Sequence, residues 1–105
     1  MKKLFISQPM NGKSDADIYA DRHIAIEKAK KILGEDVYAI DSHIDYAPDD
    51  ATPLWYLGES IRLMSEADVI YFCNGWQLAR GCTIEHDCAL DYDIPTIYED
   101  DADEN

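Results

Sequence analysis

The sequence has few cysteines and no long apolar run. Its three cysteines, Cys73, Cys82 and Cys88, are odd in number and lie in apolar or helical surroundings, which favours reduced, buried thiols over a disulfide framework. No stretch approaches the roughly 20 apolar residues that span a bilayer. The basic N-terminal residues are followed by too short an apolar segment for a signal-peptide core. We therefore expect a cytoplasmic protein that does not cross a membrane.

Basic residues are also scarce, with 9 Lys and Arg against 22 Asp and Glu and a net charge of −13. A field of this sign repels phosphate backbones and anionic lipids, which disfavours nucleic-acid or membrane-surface partners. Part of the charge lies in residues 99–105, which we predict to be a solvated acidic tail. Residues 1–98 are long enough for one domain with a modest core.

Short apolar runs alternate with segments of helical periodicity along the chain. Strands are expected at residues 3–7, 37–40, 68–73 and 94–98. Helices are expected from the Ser14 cap to Leu33, from the Thr52 cap onward, and from about Gly81 to Tyr92. This order predicts an α/β fold, a flavodoxin- or Rossmann-like three-layer sandwich with a four- to five-stranded, mainly parallel sheet.

Ligands of such sheets bind at the carboxyl ends of the strands, so the loops there hold the candidate site. The first of these loops offers polar groups and backbone amides before a helix, and its candidate contacts to a polar or anionic ligand are Ser7, Asn11 and Lys13. The loop has neither the P-loop pattern nor the glycine fingerprint of dinucleotide-binding proteins.

Glu85 is the candidate for chemistry in the third loop and its helix. It shares a helical face with Cys88, Ala89 and Tyr92, and the helix dipole is expected to favour its ionised form. An ionised carboxylate on a rigid helix at the ligand edge suits attack on an electrophilic sugar carbon. The alternative is that an acidic residue simply favours a helix start.

Arg22 and Trp76 each have two interpretations. Arg22 interrupts an apolar stripe on the first helix, where it can orient a phosphate or carboxylate, pair with Glu85 or a loop Asp, or extend to solvent. Trp76 can stack on a planar base or cover the sheet edge as a structural lid. Cys82 and His86 lie four residues apart without the partners of a metal motif, so no metal and no cofactor is expected.

Three segments together resemble the nucleoside 2-deoxyribosyltransferase-like superfamily. They are Leu4-Phe5-Ile6-Ser7-Gln8-Pro9-Met10, Ala67-Asp68-Val69 and Ala79-Arg80-Gly81-Cys82-Thr83-Ile84-Glu85. The likeness is greatest to short bacterial and phage members and covers roughly residues 3–97.

The resemblance implies that Glu85 attacks the anomeric carbon of a nucleoside and forms a covalent glycosyl-enzyme, as in retaining glycosidases. It also implies that the first loop holds the nucleoside through Ser7, Gln8, Pro9 and Met10. In such relatives a neighbouring subunit often completes the site, so a homo-oligomer is expected. Family enzymes place an acidic proton donor at the position of Ser60 in this chain. Glu59 and Asp41 are therefore the candidates for that role, with Asp45 as a further choice.

The expected function is cleavage of an N-glycosidic bond by a nucleoside 2-deoxyribosyltransferase or a nucleoside or nucleotide N-glycosidase. The expected partner is a small nucleoside or nucleotide, with Ser60, Trp76 and Gly81 as further binding residues. The alternative is a binding module that holds the same ligand in the same pocket without turning it over.

Overall fold

The computed structural model describes residues 1–100. Its sheet has four parallel strands, β1 (Lys2–Ser7), β2 (Val37–Ala39), β3 (Val69–Phe72) and β4 (Thr96–Tyr98), in the order β2-β1-β3-β4. The two central strands pair in register from Leu4 with Val69 to Ser7 with Phe72. The predicted α/β fold with a parallel sheet is confirmed.

Three helices connect these strands: α1 (Asp15–Leu33), α2 (Pro53–Met64) and α3 (Arg80–Asp91). The predicted caps are present, because Ser14 Oγ accepts from the Asp17 amide and Thr52 Oγ1 accepts from the Trp55 amide, each at 3.2 Å. Gly34 ends α1 with a φ of 69°, a left-handed conformation that favours glycine. A short 3-10 turn, Trp76–Leu78, precedes α3.

Two apolar cores lie on opposite faces of the sheet, because successive strand residues point to alternate sides. Leu4 and Tyr71 belong to the core that contains Ala25 and Ala29 of α1. Phe5 and Ile70 belong to the other core, with Met64 of α2 and Ala89 of α3. The result is a three-layer sandwich. In residues 1–100, no helix is both long and apolar enough to span a bilayer.

Candidate functional site

A cavity of about 1320 Å³ opens at the carboxyl ends of the two central strands. Its wall comes from the loop after β1, the inner face of α2, the loop after β3 and the first turns of α3. The two loops touch across it, since a Cβ on Gly75 would lie 3.7 Å from Pro9 Cγ. The site therefore lies at the sheet edge where parallel α/β proteins bind ligands.

Glu85 lies in the wall of this cavity and is only 7% exposed. Its Oε1 accepts a hydrogen bond from Ser7 Oγ at 2.8 Å, which joins α3 to the end of β1. Burial raises the pKa of the Glu85 carboxyl to about 7, and the Ser7 hydrogen bond offsets part of that effect. The expected stabilisation of the ionised form is wrong, because Glu85 lies in the second turn of α3, where burial outweighs the helix dipole.

Gln8 follows Ser7 and is 5% exposed in the same wall. Its Nε2 donates to the Ile18 carbonyl at 3.2 Å, but its Oε1 is buried and has no hydrogen-bond partner within residues 1–100. A buried acceptor without a donor costs about 1–3 kcal/mol. A ligand that carries a hydrogen-bond donor would remove that cost. Pro9, Met10 and Asn11 also line the cavity, as predicted for the first loop.

Neither predicted proton donor lines the cavity with Glu85. Glu59 forms an ion pair with Arg62, and hydrogen bonds from Arg62 and Tyr46 hold the pKa of its carboxyl below its usual range. Ser60 does line the cavity, and neighbours on a helix point about 100° apart, so Glu59 faces elsewhere. The structure therefore does not support Glu59 as the acid of this site.

Asp41 is also separate from Glu85. It is exposed, its Oδ1 accepts from the His43 amide at 3.1 Å, and it lines a second, smaller cavity of about 400 Å³ with Lys3 and Glu66. The loop after β2 carries Asp41 away from the larger cavity, so the structure gives this residue no contact with the Glu85 carboxyl.

Arg22 holds the loop after β2 and does not line the cavity. Its Nη1 donates to Ser42 Oγ at 2.8 Å and its Nη2 donates to the Ile40 carbonyl at 3.1 Å. Partial burial lowers the pKa of this guanidinium, and Asp41 nearby acts in the opposite direction. The predicted contact of Arg22 with a ligand is not supported, because its side chain does not line the cavity and its two terminal nitrogens bind groups of the loop.

Trp76 packs on the core side of its loop. Its ring centroid lies 4.2 Å from that of His86 and 5.4 Å from that of Phe72, and the side chain does not line the cavity. The lid interpretation therefore fits better than base stacking. Tyr56 of α2 is an exposed aromatic side chain that does line the cavity, and its spacing of four residues from Ser60 was the sequence signal for it.

Two residues at this edge of the sheet, Arg80 and Glu99, were not among the predicted site residues. Arg80, the first residue of α3, lines the cavity together with Lys13 and Gly81. Glu99 accepts from the Asn74 amide at 2.9 Å and from the Tyr71 hydroxyl at 3.1 Å, so it fastens the loop after β3. Glu99 thus belongs to the folded domain, whereas residues 101–105 of the predicted tail lie outside the described residues.

Potential metal ligands do not gather in the part of the chain that is described. Within residues 1–100, no three His, Cys, Asp or Glu side chains come together as a metal-binding group. Cys82 lines the cavity beside Ser7 and Glu85, but burial raises the pKa of its thiol and disfavours the thiolate that binds metals. The chemistry available to the wall is that of one carboxyl group, hydroxyls, amides and two cations.

Fold and site together define a class: α/β proteins with an open cavity at the carboxyl edge of a parallel sheet and one buried carboxyl in its wall. The model of the family described as Domain of unknown function (DUF4406) matches residues 2–98, and the chain belongs to that family. No curated protein matches the chain.

A solved structure, the crystal structure of a conserved protein from Enterococcus faecalis V583, is similar in fold. Its TM-score is 0.65, its sequence identity is 17%, and the match covers 93% of this chain. The chain spans only 62% of that protein's length. At this identity the similarity shows the fold alone.

Proposed function

We propose that this protein cleaves the N-glycosidic bond of a nucleoside or nucleotide and transfers the sugar to another base or to water. The observation that carries the proposal is the Glu85 carboxyl, which is buried in the cavity wall and oriented by the Ser7 hydroxyl. A carboxylate on a rigid helix at the ligand edge suits nucleophilic attack on a sugar. The motif resemblance of the first loop and of residues 79–85 supports the same reaction.

The proposed reaction begins with ionised Glu85, whose Oε1 stays hydrogen-bonded to Ser7 while Oε2 attacks C1′ of the sugar. The C1′–N bond breaks, and its electron pair leaves with the base, which takes a proton from solvent. Water or a second base then attacks C1′, releases the Glu85 carboxylate and loses its own proton. The sugar keeps its configuration because each displacement inverts C1′ and the two inversions cancel.

A direct test is to incubate the full chain with each deoxynucleoside and each deoxynucleoside 5′-monophosphate, with and without a second base. Free base, measured by chromatography, is the expected product, and a new nucleoside in the presence of the second base would identify transfer. If every compound is recovered unchanged, the protein is not an N-glycosidic bond enzyme for these substrates.

The rate of base release should rise with pH. Because the attacking form is the ionised carboxyl, kcat/KM is expected to increase through about pH 7 and to level off above it, following the free-enzyme pKa of Glu85. Initial rates across that range measure this profile. A rate that falls through the same range would instead identify Glu85 as a general acid.

Ser7→Ala should move that profile to higher pH. The Ser7 hydroxyl favours ionised Glu85, so its removal raises the pKa of the carboxyl and lowers the rate near neutrality by about 10-fold. Ser60→Ala is the matched control, since Ser60 lines the cavity with no hydrogen bond to Glu85, and it should leave the midpoint unchanged. Equal midpoints in wild type and Ser7→Ala would contradict this positioning role.

One observation favours a second candidate, a module that binds the same ligand without turnover. Among the described residues, Glu85 is the one carboxyl group that lines the cavity, so no partner acid stands ready to protonate the leaving base. The absence of such an acid can cost about 10²–10⁴-fold in rate. Thermal stabilisation by a nucleoside or nucleotide without release of base would support the binding module.

A further inference from the structure

The cavity wall has the opposite charge balance from the rest of the chain. The protein carries a net charge of −13, yet both Lys13 and Arg80 line the cavity and Glu85 is its single carboxyl among residues 1–100. The pKa of that carboxyl is about 7, so near neutrality it carries only part of a charge. The wall therefore attracts anions that the remaining surface repels.

Arg80 is the cation that is free to bind. Its guanidinium makes no ion pair and no hydrogen bond within residues 1–100, whereas Arg22 donates to Ser42 and Arg62 pairs with Glu59. Lys13 contributes charge at the same cavity but already donates to Asp21 at 2.7 Å. A free guanidinium offers planar N–H donors that match the oxygens of a phosphate.

The first turn of α3 supplies backbone donors beside Arg80. Helices α1 and α2 have side-chain caps, but Ala79 gives α3 no side-chain cap. The amides of Gly81 and Cys82 lie in that first turn, where an α-helix leaves N–H groups without carbonyl partners, and both residues line the cavity. An anion at this position would receive backbone hydrogen bonds as well as the guanidinium.

Gln8 gives an independent sign that the cavity is built for a ligand. This side chain is nineteen-twentieths buried in the same wall, and its Oε1 has no hydrogen-bond partner among the residues that the structure describes. Because the unpaired Oε1 is a hydrogen-bond acceptor, the Gln8 side chain favours a ligand that carries O–H or N–H groups. A phosphorylated sugar has both the donors for Gln8 and the anion for Arg80.

We propose that the cavity takes a nucleoside 5′-monophosphate in preference to the nucleoside, with the phosphate on Arg80 and the first-turn amides of α3. This inference rests on the proposed function for the identity of the sugar. Arg80 precedes Glu85 by five residues, or ~7.5 Å along the helix. A furanose with its 5′-carbon bridges such a separation, which places C1′ at Glu85 and the phosphate at the start of α3.

The test compares a deoxynucleoside with its 5′-monophosphate by isothermal titration calorimetry. Glu85→Gln protein is used, so that turnover cannot change the ligand. The monophosphate is expected to bind at least about 10-fold more tightly, and Arg80→Gln in the same background should abolish that preference. Arg62→Gln is the matched control because it removes the same charge outside the cavity, and it should keep the preference.

Added salt should reduce the preference, since the Arg80 side chain is exposed to the solvent. Equal affinities for the two ligands, a preference that survives Arg80→Gln, or no binding of either ligand would each overturn the inference. The proposed function is tested separately by base release from wild-type protein. Phosphate preference without base release would leave a nucleotide-binding module, whereas base release without preference would leave an enzyme for unphosphorylated nucleosides.

Discussion

Glu85→Gln should abolish base release, with a loss in kcat of at least about 10³-fold. The substitution preserves the size of the side chain and an oxygen that can accept from Ser7 Oγ. It removes the nucleophile, because an amide oxygen does not form a stable ester with C1′. Chromatographic initial rates for wild-type and variant protein give this ratio directly.

Glu59→Gln is the informative control for that experiment. Glu59 belongs to a neighbouring helix, pairs with Arg62 and does not line the cavity, so its loss should change the rate by no more than about twofold. If Glu59→Gln is inactive and Glu85→Gln is active, Glu59 rather than Glu85 is the nucleophile. Mass spectrometry of acid-quenched wild-type protein should also find one sugar attached to the peptide that contains Glu85.

The same substitution should stabilise the fold at alkaline pH. The folded-state pKa of Glu85 is raised to about 7 from an ordinary value of 4.5, so the folded protein binds this proton more tightly than the unfolded chain does. Stability must therefore fall as pH rises between those values. Above both pKa values, burial of the ionised carboxyl lowers the free energy of unfolding of the wild type by about 3 kcal/mol. A neutral Gln avoids this loss.

Urea unfolding at about pH 5 and about pH 8 measures the difference. Glu85→Gln should exceed wild type by up to about 3 kcal/mol at the higher pH and by much less at the lower pH. Glu35→Gln, which alters an exposed carboxylate, should differ little from wild type at either pH. If Glu85→Gln raises the free energy of unfolding equally at both pH values, removal of a buried charge is not the source of the increase.

These two results together separate a functional carboxyl from a structural one. If a buried carboxylate is retained for stability, its neutralisation destabilises the protein, since the partner of the carboxylate is left unpaired. Glu85 has a hydroxyl as its partner in residues 1–100 and no cation, so neutralisation should raise stability while activity disappears. That combination is the signature of a group kept for chemistry.

Local features of the fold could be predicted from the sequence because the interactions that form them are local. The side chains of Ser14 and Thr52 cap helices through amides three residues away, and Gly34 ends α1 through its own backbone conformation. The apolar strand predicted at residues 68–73 corresponds to β3, and every residue of β3 is buried, as a continuous apolar run in a parallel sheet requires.

A site residue could be predicted where its place at the end of a strand or the start of a helix is enough to bring it to the cavity. Gln8, Pro9 and Gly81 follow a strand or begin a helix at the carboxyl edge of the sheet, so the topology alone brings them to the cavity. Trp76 and Arg22 were not predictable in this way. Their orientation depends on His86, Phe72, Ser42 and Ile40, which lie elsewhere in the chain.

The sequence by itself determined the order of strands and helices, the helix ends and the edge of the sheet at which the cavity lies. Only the tertiary structure decided that Ser60 rather than Glu59 faces the cavity, and that Arg80 lines it without an ion pair within residues 1–100. It also reversed the expected protonation of Glu85. The reason is physical: caps and periodicity act over a few residues, whereas Ser7 and Glu85 are 78 residues apart and acquire their burial only when the chain is folded.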